Sequence, residues 1–76
     1  MTQVEQLVYG YVRAMEHLRQ TGDEGYRKTS GMFRERLRRQ GFTVLDWTVT
    51  KQETVVRMNA GDRITSLHLP VPGAMG

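Results

Sequence analysis

The change of hydrophobic period at Gly41–Phe42 constrains this chain more than any other feature. Before it, apolar residues recur at steps of three and four; after it, they alternate. A chain that passes once from the helical to the strand period is limited to helices followed by strands. The fold class expected is therefore α+β. Two N-terminal helices pack on one face of a three-stranded antiparallel β-meander, in the order ααβββ.

The first helix is predicted over residues 3–20. Val4, Val8, Tyr11, Met15 and Leu18 recur at helical spacing, with Leu7 and Ala14 beside them. Thr2 and Glu5 have the spacing of a capping box. The apolar positions from Ala14 round to Val12 fill an arc of roughly 160°, wider than the stripe of about 100° that a core-facing helix needs. Tyr9 falls outside even that arc and is expected to be exposed. Gly10 falls on the polar side and costs about 1 kcal/mol relative to Ala. His17 lies there too, beside Arg13 and Glu16, and reads as an ordinary exposed histidine. An arc this wide is covered either by the sheet and a neighbouring helix together or, in the alternative reading, by a second copy in a homodimer through the first helix.

Thr21-Gly22-Asp23-Glu24-Gly25 breaks the pattern, with Gly22 suited to end one helix and Asp23 to cap the next. The second helix is predicted over 25–40, with Tyr26, Ser30, Phe33 and Leu37 on its packing side. Strands follow at 42–50, 53–59 and 63–69. In the first, Leu45, Trp47 and Val49 are expected to face the core; in the others, Thr54, Val56 and Met58, and then Thr65, Leu67 and Leu69. Asn59-Ala60-Gly61-Asp62 has hairpin-turn composition, and Pro70 and Pro72 stop further pairing. Residues 1–72 are expected to form one domain and 73–76 a disordered tail. The expected core comprises Leu7, Tyr11, Met15, Leu18, Phe33, Leu37, Trp47, Val56 and Leu67.

At 76 residues the chain can bury only about 60% of its unfolded surface, and it has no cysteine. Neither a disulfide framework nor a thiolate metal site is open to it. There is no apolar run of membrane-spanning length and no leader pattern, so a soluble, cytoplasmic protein without membrane contact is expected.

The charge is concentrated in one place. Tyr26–Gln40 carries six of the eleven Lys and Arg residues against one acid, Glu35, a balance of +5. The residues before it sum to −2 and those after it to zero. Arg27, Arg34 and Arg38 share one flank of the second helix with Gly31; Lys28, Arg36 and Arg39 lie on the other flank with Met32. These six residues and Tyr9 are the candidate partner-binding residues. Arginine's planar fork suits phosphates and carboxylates alike.

Catalysis finds no support in the residue spacing. The only serines are Ser30, on a packing face, and Ser66, near His68 but with no converging orienter. Two histidines without a third ligand do not make a zinc site, and no phosphate-cradling glycine motif is present. No cofactor and no metal are expected.

The run Leu37-Arg38-Arg39-Gln40-Gly41-Phe42, followed by a meander ending Leu69-Pro70-Val71-Pro72, is similar to the core of HicA-like toxins over about half the chain. Those are small RNA-cleaving domains with a three-stranded sheet of double-stranded-RNA-binding type. The family's Gly-Ser-His would fall near Lys51-Gln52-Glu53, which holds no histidine, and its final helix has no match in this sequence. The resemblance implies RNA binding at most.

The expected function is that of a small non-enzymatic regulatory or inhibitor protein. It would bind an acidic surface of a protein or nucleoprotein partner, through arginine and aromatic anchors. In size and style it resembles phage or mobile-element accessory proteins, anti-CRISPR inhibitors among them. The alternative is a nucleic-acid-binding module using the Arg-rich second helix. An arginine stripe that is flat and open favours nucleic acid; one beside an exposed Tyr, Val or Met patch favours a protein.

Overall fold

The computed structural model describes residues 1–72, so the expected disordered tail at 73–76 lies outside the described residues. Helix α1 spans Gln3–Thr21 and α2 Glu24–Arg39; strands β1 (Phe42–Val49), β2 (Thr54–Ala60) and β3 (Arg63–Leu69) follow. The strands form one antiparallel sheet in the order β1-β2-β3, with both helices packed against it. The ααβββ arrangement is thus the one the period change demands, with element ends within one residue of those expected.

Local signals set the ends. Thr2 and Glu5 close a reciprocal capping box, Thr2 N donating to Glu5 Oε1 at 2.9 Å and Glu5 N to Thr2 Oγ1 at 3.1 Å. Gly22 ends α1 in the left-handed region at φ 72°, with its N–H on the Leu18 carbonyl at 2.7 Å. Asp23 Oδ1 then accepts from Gly25 N at 2.9 Å and opens α2.

The core lies between α1, α2 and β2. Val8, Val12, Leu37, Val56 and Met58 are almost completely buried, joined by Leu7, Tyr9 and Leu69. Phe33, Trp47, Leu67 and Tyr11 pack around them and are partly buried. Met15 and Leu18, expected in the core, are only partly covered. Arg57, Ser66 and His68 lie on the opposite sheet face, which is open and largely polar, as one-sided cover of an antiparallel sheet implies.

Four expectations are corrected. Tyr9 is buried, 9% exposed, because the chain beyond β3 returns over that flank of α1. The Tyr9 hydroxyl donates to the Val71 carbonyl at 3.1 Å, and Thr54 Oγ1 donates to the Pro70 carbonyl at 2.9 Å. Gly10 faces α2: a Cβ there would stand 2.6 Å from Phe33 Cζ, so glycine admits the ring. His17 is partly covered and stacks on Tyr26 across the helical hairpin, with ring centroids 5.0 Å apart at 16°. In β1 the register shifts between Val44 and Asp46. Val44 pairs with Met58 and Trp47 with Val56, so Phe42, Val44, Trp47 and Val49 share the helix-facing side. Leu45 is the extra residue of the bulge and is 46% exposed.

Candidate functional site

Helix α2 packs through Ser30 and Leu37, both buried, so its cationic flanks are turned away from the core. Arg27, Lys28, Arg34, Arg36, Arg38 and Arg39 are all exposed. They are not equivalent. Arg27 Nε donates to Glu24 Oε2 at 2.7 Å, an i,i+3 pair within the first turn of α2. Arg38 grips Glu35 with two hydrogen bonds of 2.7 and 2.9 Å, and Arg39 approaches the same carboxylate at 3.5 Å. The hydrogen bonds from Arg38 are the main cause holding the Glu35 carboxyl down at about 2. Lys28, Arg34 and Arg36 form no ion pair among the described residues. Of the stripe Arg27–Arg34–Arg38, then, only Arg34 carries a charge without an acid beside it.

Two stripe members border a depression. Arg27 and Arg34, with Ser30 and Gly31, face Tyr11, Met15 and Leu18 of α1 across a groove of about 280 Å³. Ser30 Oγ donates to the Arg27 carbonyl at 2.8 Å and offers nothing to a ligand through that proton. A Cβ at Gly31 would meet no atom within 4 Å, so no internal contact requires glycine there. Its absence of a side chain leaves the helix backbone bare along the groove. Arg38 is absent from this groove, and Tyr9 lies under the C-terminal segment on another flank of α1. The structure therefore brings Arg27 and Arg34 together, while Tyr9 is a structural residue. Lys28, Arg36 and Arg39 belong to α2 outside the groove.

Tyr11, Met15 and Leu18, and not Tyr9, are the α1 side chains that border Arg27 and Arg34. All three belong to the helical stripe of α1, which marked them as core.

Ser66 and His68 are exposed on the open face, and His68 Nδ1 lies 2.7 Å from Glu53 Oε1. Glu53 closes the β1–β2 connection, whose Thr50 Oγ1 accepts from the Gln52 and Glu53 amides. Among the described residues, no three His, Asp or Glu side chains converge as a metal site, and no helix is long and apolar enough to cross a membrane. Comparison with protein-family models, with curated proteins and with solved structures gives no match, so the meaning of this surface rests on its own residues.

Proposed function

We propose that the protein is a small non-enzymatic regulatory or inhibitor protein that binds an acidic surface of a protein partner through the α1–α2 groove. One observation carries this reading: Arg27 and Arg34 border partly covered Tyr11, Met15 and Leu18 rather than a flat polar face. Arginine beside aromatic and flexible apolar side chains is the composition of interface hot spots. A phosphate backbone would use the arginines and leave the apolar strip unoccupied.

The experiment is affinity capture on the immobilised chain, with and without nuclease, for the parent and for Arg27→Glu/Arg34→Glu. A protein partner is retained after nuclease treatment and lost with the double reversal. Its association rate falls with salt more than its dissociation rate rises. Retention that disappears with nuclease, with a log–log salt slope reduced by about 1 for each arginine removed, would instead establish the nucleic-acid module.

A further inference from the structure

The groove beneath Arg27 and Arg34 does not end at α1. Met15 and Leu18 line it and also line a larger cleft, about 680 Å³, between the C-terminal half of α1 and the edge strand β1. Leu45, Trp47 and Val49 form its far wall. We propose that this cleft takes a short acidic segment of a partner protein, whose bulky apolar side chain seats against Met15, Leu18, Leu45 and Trp47. The inference rests on the protein-binding reading above and adds to it where the anchor goes and what flanks it.

Apolar cover is the first reason. Leu45 and Val49 are 46% and 40% exposed, beside the partly covered Met15 and Leu18. Leu45 has no cross-strand partner, since the bulge takes it out of the β1–β2 register. Its side chain lines the cleft.

Charge decides the chemistry of the occupant. Two acids lie at the cleft, and both are engaged. Glu16 accepts from the Trp47 indole N–H at 2.8 Å through one oxygen and from Arg19 at 2.6 Å through the other. Asp46 is held by Arg57, Nε to Oδ1 at 2.8 Å, and this bond is the main cause of its lowered pKa. Both acids are thus balanced in place by Arg19 and Arg57. Arg34, across Met15 and Leu18, has no acid of its own among the described residues. The surface thus complements carboxylates around an apolar anchor. An oligonucleotide has no aliphatic group to fill the floor.

Backbone supplies the third reason. Among the described residues β1 pairs only with β2, so its other edge is available to an extended chain. The bulge interrupts that edge, which limits regular pairing and suits a short segment.

The test is selection of a random dodecapeptide display library on the full chain. Enriched peptides should share a bulky apolar residue flanked by Asp or Glu. A synthetic selected peptide should shift the Trp47 indole N–H resonance. Leu45→Ser, an exposed change outside the ladder, should weaken it by at least about tenfold without altering the melting curve. Arg34→Glu should do the same. Failure to enrich, enrichment of basic peptides, or undiminished binding to both Leu45→Ser and Met15→Ser would overturn the proposal. Binding that survives both Leu45→Ser and Met15→Ser but not Arg34→Glu removes the cleft and leaves the acidic-partner reading standing. Binding that survives Arg34→Glu removes that reading. Tighter binding of oligouridylate than of any peptide, or a dimer abolished by Leu45→Ser, would also overturn it, assigning the surface to RNA or to a second copy.

Discussion

Tyr9 shows how a single side chain can be misplaced by its angle on a helical wheel. Its hydroxyl is spent on the Val71 carbonyl, which has no ladder partner because strand pairing ends at Leu69. Tyr9→Phe should destabilise the fold by about 1 kcal/mol, the usual net value of one such bond. Equilibrium denaturation checks this; a variant as stable as the parent would mean the bond contributes nothing. Glu35 allows a pH prediction. Its folded pKa is depressed, so its contribution is complete above the unfolded carboxyl value and is lost as pH falls towards about 2. The Glu35 carboxyl resonance should titrate near there, and Arg38→Gln should return it to the ordinary range. Gly31 is a third case. Nothing inside the protein needs it, so Gly31→Ala should stabilise α2 by up to about 1 kcal/mol. The same change should weaken partner binding, because the new methyl stands in the groove.

The two helices meet through Gly10 and Phe33, and their spacing depends on that pair. Gly10→Ala gains helix propensity of about 1 kcal/mol, but the methyl would overlap three ring atoms of Phe33 within 3.0 Å. Overpacking costs about 1–3 kcal/mol, so the variant should be less stable than the parent. Phe33→Leu removes the atoms that clash. The two changes together should therefore be less destabilising than the sum of each alone, by about 1 kcal/mol or more. Additive values would show that α1 and α2 do not approach as closely as described. Strand β1 has its own device. The single extra residue at Leu45 keeps Val44 and Trp47 on one side of the sheet although three positions separate them, and so it opens the cleft next to α1.

Trp47 joins α1 to the sheet edge. Its ring meets Tyr11 edge-on at 5.8 Å, and its N–H reaches Glu16. Being partly exposed, Trp47→Ala should cost about 2–3 kcal/mol, below the range for a fully buried tryptophan. That is a large share of the 5–15 kcal/mol typical of whole domains. Thermal denaturation of Trp47→Ala and Trp47→Phe separates ring packing from the hydrogen bond. Self-association through α1 was expected from its surplus apolar arc. The return of Pro70–Pro72 covers one flank of that arc, leaving Tyr11, Met15 and Leu18 as the open part. Sedimentation at micromolar concentration should accordingly show the 8.8 kDa monomer.

Periodicity and caps were enough to place all five elements, because each depends on residues within a few positions of one another. The Thr2–Glu5 box, Gly22, Asp23 and the alternation of β2 and β3 are local facts. The concentration of cations on α2 was equally legible, since charge is counted and not folded. Which of those cations are free was not, because Glu24 and Glu35 choose their partners by geometry along the helix. The groove itself belongs to the tertiary structure. It depends on how α2 lies along α1, and the cleft beside it on the bulge that displaces Leu45. Each of these joins segments far apart in the chain, and a hydrophobic pattern records which residues avoid water, not which neighbours cover them.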